Sequence, residues 1–402
     1  EWYAPFQYDN GKVPCVVDYR GADPVPEHDS SGEFIFLVAQ VYRYTGDRDL
    51  LAGMWPRVLR AADYLDGLRR QRRTDEYRDP PLDHFYGILP PSISHEGYSA
   101  KPMHSYWDDF FALRGFRDAV ALAAILGHDD EQRRLAKILA EFETDLGASV
   151  ARAMEIHDIS YVPGCADLGD FDPTSTTIAL SPADAGDLLP SRSLEQTFED
   201  YYRFFVKRRA GDPWEAFTPY EVRNIGTFVR LGWRGRAHEL LDYFLAYRRP
   251  AGWRHWAEVV FRDERSARFL GDMPHTWVGS DFIRSVLDMF VFERESAAEV
   301  TADRIAELVL ASGVPAAWLE RPGVAVENLP TPYGDLNYNL YRQGETVVME
   351  LAPGMEIPAG GLVLYPPLPP GVTRVEVDGD NVPYATGDRV VVRSLPARVT
   401  WQ

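Results

Sequence analysis

Apolar residues recur with helical spacing in long segments that come in pairs. The first segment runs from Ser30–Tyr44 and the second from about Asp49–Arg72, joined by the short turn Thr45–Asp47. A long loop leads to a second pair, near residues 105–127 and 129–155, again with a short turn between the helices. Short turns join antiparallel helices, and long connecting loops lie on the surface. The sequence therefore predicts helical hairpins stacked around an axis, with the long loops on one face.

Two helix starts carry a capping pattern. Ser30 and Glu33 form an S-x-x-E box before the first apolar run, and Thr218–Glu221 places proline at the first helical position. Beyond the two hairpins, four more helices are predicted near residues 193–209, 218–232, 234–248 and 276–294.

From about Gly323 the helical period gives way to short runs rich in β-branched residues, separated by Gly, Pro and Asp. Seven runs are predicted as strands, over residues 324–326, 336–340, 346–351, 362–365, 375–377, 390–392 and 399–401. The segment Asp378–Asp380 reads D-G-D, which is typical of a hairpin turn. We predict a helical domain over residues 1–312 and a small all-β domain over residues 313–402.

The formal net charge of −19 argues against a nucleic-acid partner and an anionic membrane surface, because both carry negative charge themselves. The longest apolar run, Ala119–Leu126, is far too short to span a bilayer. A soluble protein without membrane or nucleic-acid partners is expected, and the sequence assigns it no compartment.

Neither a metal nor a cofactor is expected. Cys15 and Cys165 are too few for a disulfide framework or a cysteine metal cluster, although a bridge between them stays open. Asp167, Asp170 and Asp172 lack the spacing of a known calcium loop. The chain also lacks the glycine-rich motifs that bind nucleotides after a strand.

The segment Ser105–Phe111 places two adjacent carboxylates, Asp108 and Asp109, among four aromatic residues at the start of a predicted helix. Aromatic faces stack on sugar rings, and a carboxyl group beside apolar groups can be held protonated. This combination predicts a sugar pocket.

The helical region resembles the six-hairpin glycosidases, the (α/α)6-barrel enzymes that include trehalases, debranching α-glucosidases and α-L-rhamnosidases. The matching segments, in chain order, are residues 32–35, 44–47, 87–90, 106–110, 256–258 and 274–277. Residues 326–334 resemble the β-sandwich that follows the barrel in several of these enzymes. The resemblance implies a mainly α fold, an (α/α)6 toroid followed by a small C-terminal β-sandwich. Such a toroid has twelve helices, so upstream hairpins outside this chain, or helices hidden in its loops, are expected.

The resemblance also implies an exo-acting, inverting glycoside hydrolase. Such an enzyme uses a carboxylic acid to protonate the leaving oxygen and a carboxylate, roughly 6.5–9.5 Å away, to activate water. By order and local pattern, Asp108 corresponds to the general acid and Glu258 to the general base. The expected partner is an oligosaccharide or glycoside substrate.

Each catalytic assignment has a competing interpretation. Asp108 can instead belong to a capping arrangement with Ser105, in which the helix dipole would lower its pKa. Asp109 can act in place of Asp108. Glu258 can be an ion-pair partner of Arg254 or Arg262.

Several other residues are candidate substrate ligands, as hydroxyl-binding or ring-stacking groups: His28, Asp29, Trp107, Asp109, Glu221, Trp256, His275 and Trp277. Glu221 also competes for the role of base, but the cap at Thr218 explains it without function. Turn chemistry, core packing or a satisfied structural histidine can account for the others. Phosphorolysis, polysaccharide lysis and glycan binding without catalysis remain alternative functions of the same fold.

Overall fold

A computed structural model describes residues 1–94, 97–98, 100–266, 271–297, 304–384 and 389–402. The chain forms two compact units, Glu1–Tyr201 and Tyr202–Gln402. The domain boundary between residues 312 and 313 remains a prediction. Among the described helices, none is both long and apolar enough to cross a membrane.

The first unit contains the two predicted hairpins. Its elements are β1 (Val17–Asp18), β2 (Gly21–Ala22), α1 (Asp29–Thr45), α2 (Arg48–Arg70), α3 (Tyr106–Leu126), α4 (Asp129–Ile156), α5 (Pro173–Leu180) and the start of α6 (Ser193–Ala210). Left-handed glycines end α1 and α3, with Gly46 at φ 65° and Gly127 at φ 79°. Glycine takes this conformation without the steric cost that a side chain brings, so both turns follow from local sequence. Helix α5 lies in a segment predicted to be a loop.

The predicted capping box at the start of α1 is wrong. The helix begins at Asp29 with His28 at the N-cap position, so Ser30 and Glu33 both lie inside it. The Ser30 hydroxyl donates to the Asp29 carboxylate at 3.2 Å and does not cap the helix.

Helices α1 and α3 approach each other closely through two glycines. A Cβ on Gly32 would lie 2.2 Å from the Phe111 carbonyl oxygen, and a Cβ on Gly115 would lie 2.9 Å from the Gly32 Cα. Only glycine permits this separation. The contact sets the first turn of α1, which carries Asp29, against the part of α3 that lies one to two turns after Asp108.

We expect Gly32→Ala to lower the free energy of unfolding by about 1–3 kcal/mol, because the added methyl overlaps backbone that cannot move without displacing α3. Gly53→Ala in α2 is the matched control, since nothing lies within 4 Å of a Cβ there. That variant should be stabilised by about 0.4–1 kcal/mol through the lower entropy of its unfolded chain. Urea unfolding followed by circular dichroism measures both variants, and equal midpoints would contradict the close packing.

The second unit begins with helices and ends with strands. A two-stranded ladder pairs β3 (Ala216–Phe217) with β4 (Val260–Phe261), and the helices are α7 (Arg223–Arg230), α8 (Arg234–Ala246) and α9 (Thr276–Asp288). A short 3-10 turn, Pro219–Val222, precedes α7. The helix predicted to run to residue 294 is too long, because α9 ends at Asp288 and the next segment is a strand.

All seven predicted strands are present. Together with three that were not predicted, they make ten described strands after α9. These are β5 (Val291–Ala297), β6 (Arg304–Leu310), β7 (Val324–Thr331), β8 (Gly334–Gln343), β9 (Thr346–Leu351), β10 (Leu362–Leu364), β11 (Val375–Val377), β12 (Asp380–Val382), β13 (Val390–Val392) and β14 (Ala397–Trp401). The sequence missed β5, β6 and β12. Asp378 and Gly379 both have positive φ, 55° and 90°, which is the signature of the predicted hairpin turn.

These strands form two sheets, in the orders β13-β10-β6-β5 and β12-β11-β14-β9-β8-β7. Side chains from both sheets contribute to one apolar core, including Leu308 and Leu362 from the first and Leu340 and Trp401 from the second. This is the arrangement expected of a β-sandwich. The helical hairpins and the C-terminal sheets agree with the predicted fold class, and closure of the helices into a toroid remains a proposal.

Candidate active site

In the first unit, three segments converge on the predicted carboxylates: the start of α1, the loop of residues 87–94 and the first turn of α3. The Leu89 N–H donates to Asp109 Oδ1 at 2.9 Å, and the Ser92 hydroxyl donates to Asp108 Oδ2 at 2.5 Å. Trp107 Nε1 donates to a carboxylate oxygen of the first residue of α1, Asp29 Oδ2, at 2.8 Å. The structure thus brings together residues that are far apart in sequence.

The loop that carries Leu89 and Ser92 begins at a glycine for a steric reason. Gly87 has φ 76°, and a Cβ there would lie 2.2 Å from the Asp145 carboxylate. Asp145 is itself held by Arg73, whose Nε donates to it at 2.7 Å. This packing sets the start of the loop against α4 and directs Leu89 and Ser92 toward α3.

Asp108 is 1% exposed and does not serve as a helix cap. Ser105 occupies the N-cap position of α3 and makes no side-chain cap, because its hydroxyl donates to Ser94. Burial and the negative charge of Asp29 raise the pKa of Asp108 well above its ordinary value, although the hydrogen bond from Ser92 opposes the rise. Its Oδ1 has no hydrogen-bond partner among the residues that the structure describes.

Asp109 is 0% exposed, and burial raises its pKa to about 8 although the Leu89 N–H favours the charged form. Its Oδ2 also lacks a partner within the described part of the chain. Both adjacent carboxyl groups are therefore held toward the protonated form, which the helix dipole alone would oppose.

His28 is buried at the N-cap position of α1, directly before Asp29. Burial and the positive charge of Lys12 lower its pKa to about 4, against a hydrogen bond to the Pro91 carbonyl that raises it. Over the described ranges, its Nδ1 has no partner. Trp107 is also buried, with its ring edge-on to Phe111 at 5.0 Å, so in this structure it holds Asp29 from within the core.

Glu258 lies in the second unit, where a short backbone pairing fixes it. Its N–H donates to the Asp272 carbonyl at 3.2 Å, and its Oε2 accepts the Asp272 N–H at 2.9 Å. Gly271, at φ 71°, lies so close that a Cβ there would be 2.0 Å from Oε2. Glu258 is half-buried, and neither Arg254 nor Arg262 forms an ion pair with it in the described structure.

Two other predicted ligands in the second unit, His275 and Trp277, lie around Tyr220. Its hydroxyl bonds to His275 Nε2 at 2.5 Å, and its ring meets Trp277 edge-on at 5.7 Å. The Arg223 guanidinium lies 4.5 Å from the centre of the Tyr220 ring and donates to Asp281 at 2.7 Å. A further predicted ligand, Trp256, is 6% exposed.

Glu221 forms a buried two-point ion pair with Arg208. The guanidinium donates to Oε1 at 2.9 Å and to Oε2 at 2.6 Å. In a capping box the glutamate side chain would accept the backbone N–H of Thr218. That part of the prediction is wrong, because the Glu221 carboxylate accepts from Arg208 instead. The first half is present in altered form, since the Thr218 hydroxyl accepts the Tyr220 N–H at 3.4 Å.

The aspartates of residues 167–172 are engaged by protein donors. Asp167 accepts the His104 N–H at 2.6 Å, and Asp170 accepts the Tyr98 hydroxyl at 2.8 Å. Asp172 caps α5 by accepting the Ser175 N–H. Among the described residues, no group of three or more His, Cys, Asp or Glu side chains could hold a metal ion.

No protein-family model matches this chain, and no curated protein matches it. Solved structures do resemble it. The α-L-rhamnosidase from Dictyoglumus thermophilum matches with a TM-score of 0.51 at 11% identity, over 100% of this chain and 43% of that chain. The Streptomyces avermitilis α-L-rhamnosidase complexed with L-rhamnose matches with a TM-score of 0.51 at 13% identity, over 99% of this chain and 35% of that chain.

The likeness shows a shared fold. It supports a fold of the six-hairpin glycosidase type, as the sequence predicts. This chain spans less than half the length of either rhamnosidase.

Sequence reasoning missed Ser92, Arg208 and Tyr220, which hold three of the predicted site residues. Ser92 is separated from Asp108 by 16 positions and Tyr220 from His275 by 55. No local spacing signals such pairs. The one available sequence signal was the G-I-L-P-P-S run of residues 87–92, which marks the loop without identifying the serine as a partner.

Proposed function

We propose that this protein is a glycoside hydrolase whose general acid is Asp108. One observation carries the proposal: a buried carboxyl group at the first turn of α3 whose pKa is raised well above its ordinary value. A carboxyl group that stays protonated near neutral pH can donate a proton to a glycosidic oxygen. The fold shared with two α-L-rhamnosidases supports the class of reaction.

In the proposed reaction Asp108 gives its proton to the glycosidic oxygen. The bond from the anomeric carbon to that oxygen breaks, and its electron pair stays on the leaving group. Water attacks the anomeric carbon from the opposite face and passes a proton to the Glu258 carboxylate. One water is consumed and the anomeric configuration inverts. The reaction requires the substrate oxygen to reach Asp108, whose side chain is buried in this structure.

The proposal for Glu258 as base is supported by its setting. Its Oε2 is held by the Asp272 N–H, which orients the carboxylate, and the group is half-buried. Among the described residues no arginine or lysine forms an ion pair with it, so no fixed cation competes with water for this carboxyl group there. We further propose His28, His275 and Trp277 as the ligands of the sugar hydroxyls and ring.

The first substrates to test are α-L-rhamnosides. The two solved structures described above are named α-L-rhamnosidases, and one was solved with L-rhamnose. A screen should therefore start with aryl α-L-rhamnopyranosides and rhamnose-containing oligosaccharides and extend to α-glucosides. Proton NMR of the first-formed sugar gives the anomer and tests inversion directly.

We expect Glu258→Gln to lower kcat on the best substrate by about 10²-fold or more, because the amide cannot accept the proton from water. The matched control is Glu264→Gln, an exposed glutamate of the same loop. Near-normal turnover by Glu258→Gln, with the control unchanged, would remove Glu258 from the mechanism.

The same screen separates the alternative functions. Turnover that depends on phosphate and yields a sugar phosphate would indicate a phosphorylase. A product that absorbs in the near ultraviolet would indicate a lyase. Binding of a glycan by calorimetry, without any product, would indicate a binding protein.

A further inference from the structure

Ser92 is a buried serine with a fixed backbone. Its N–H donates to the Met103 carbonyl and its carbonyl accepts the Met103 N–H, both at 2.9 Å. The residue is 0% exposed. This two-way pairing holds the Ser92 side chain in one place relative to α3, which begins three residues after Met103.

The hydrogen bonds around Ser92 also fix the direction of its hydroxyl. The Ser94 N–H donates to Ser92 Oγ at 2.8 Å, so that oxygen acts as an acceptor on this side. The hydroxyl hydrogen is then available for Asp108 Oδ2, which lies at 2.5 Å. Oδ2 is thereby occupied as an acceptor, whereas Oδ1 has no partner among the described residues.

We propose that Ser92 is a positioning residue that holds the carboxyl of Asp108 so that its transferable proton sits on Oδ1. The inference rests on the proposed function, because it names the oxygen from which the general acid would donate. Because Oδ2 accepts the hydrogen bond from Ser92, it acts as the carbonyl oxygen of the protonated carboxyl group. The proton of that group is then carried by Oδ1.

The hydrogen bond from Ser92 lowers the pKa of Asp108, whereas the negative charges that face Asp108 raise it. These charges belong to Asp29 at the start of α1 and to Glu27 in the preceding loop, and Asp109 on α3 adds a further one above the pH of about 8 at which it ionises. A donor to the ionised form favours ionisation, so Ser92 lowers the pKa of Asp108 within an environment that raises it. Without Ser92 the acid should be weaker and its carboxyl less well oriented.

The test measures the titration of Asp108 directly. Aspartate labelled with carbon-13 at the carboxyl carbon gives one resonance per residue, and Asp108→Asn identifies the one that belongs to Asp108. We expect Ser92→Ala to move the midpoint of that resonance to higher pH. The matched control is Ser94→Ala, which keeps the backbone N–H that donates to Ser92 and should leave the midpoint unchanged.

The kinetic counterpart is the alkaline limb of the pH profile of kcat. In Ser92→Ala this limb should move to higher pH, with the maximal kcat lowered about 10-fold and KM changed by less than about 2-fold. A purely structural role would lower the amount of folded enzyme and leave the limb in place. Ser92→Cys supplies a second variant of similar size with a weak donor, and its midpoint should fall between those of the wild type and Ser92→Ala.

An unchanged or lowered midpoint in folded Ser92→Ala or Ser92→Cys would overturn the inference, as would an equal shift in Ser94→Ala. The carboxyl titration does not depend on turnover. If the wild type hydrolyses no glycoside, the proposed function fails on that result alone, and the midpoints still decide whether the Ser92 hydroxyl donates to the Asp108 carboxylate.

Discussion

Asp108→Asn should lower kcat/KM on glycosides with a poor leaving group by about 10³–10⁴-fold, because the amide has no acidic proton to give. The expected loss is much smaller on a 2,4-dinitrophenyl glycoside, whose leaving group departs without protonation. The side chain should remain well accommodated, since Asn resembles the protonated Asp that burial favours. Steady-state kinetics on the two substrate types measures the contrast.

Asp109→Asn is the matched control for this experiment. The adjacent carboxyl is equally buried, and its Oδ1 accepts the Leu89 N–H, a role that the amide oxygen of Asn can keep. Activity near the wild-type level is expected. If instead Asp109→Asn were inactive and Asp108→Asn active, Asp109 would be the acid and the assignment to Asp108 would be wrong.

Asp109→Asn should also change the way in which the free energy of unfolding depends on pH. The pKa of Asp109 is raised to about 8 in the folded state, above its value of about 3.9 in an unfolded chain. The folded wild type therefore binds more protons, and this group makes it less stable as pH rises from about 4 to about 8. Asp109→Asn should unfold at a higher urea concentration than the wild type at pH 8, and the difference should shrink toward pH 4.

Arg208→Met is expected to lower the free energy of unfolding by about 3–5 kcal/mol. The substitution removes the guanidinium that donates to both oxygens of the buried Glu221 carboxylate, and removing one partner is the costly way to break a buried ion pair. It also removes a guanidinium that lies 5.0 Å from the Phe217 ring centre and 5.4 Å from the Tyr243 ring centre. Urea unfolding followed by tryptophan fluorescence measures the loss.

The neighbouring residue supplies the matched control. Arg209 pairs with Glu239 at 2.6 Å, but both side chains are about 40% exposed, so Arg209→Met should cost less than about 1 kcal/mol. The double variant of Arg208→Met with Glu221→Leu should recover most of the stability, because the buried carboxylate is then removed together with the guanidinium. Equal losses for Arg208→Met and Arg209→Met would show that burial of the first pair contributes nothing.

The predicted hairpins and strands followed from local patterns, and the errors fell where a local pattern had a competing explanation. The segment of residues 291–294 continues a helical apolar pattern, yet it forms β5, because Val291–Ala297 pairs along its whole length with Arg304–Leu310. Cross-strand pairing with a distant segment overrides propensity. The capping box at Ser30 failed for a local reason, since the helix begins at Asp29 and the Ser30 hydroxyl donates to the carboxylate of that neighbouring residue.

The sequence alone determined the helix pairs, the glycine-ended turns, the seven strands and the aromatic segment that carries Asp108 and Asp109. These features depend on residues within one or two helical turns, or a few positions, of one another. Only the tertiary structure determined which groups donate hydrogen bonds to those carboxyls. Trp107 meets Asp29 across 78 positions and Ser92 meets Asp108 across 16, because the contact between Gly32 and Gly115 brings α1 and α3 together. Burial then raises the pKa of both carboxyls, and a group's solvent exposure is set by packing that no local spacing records.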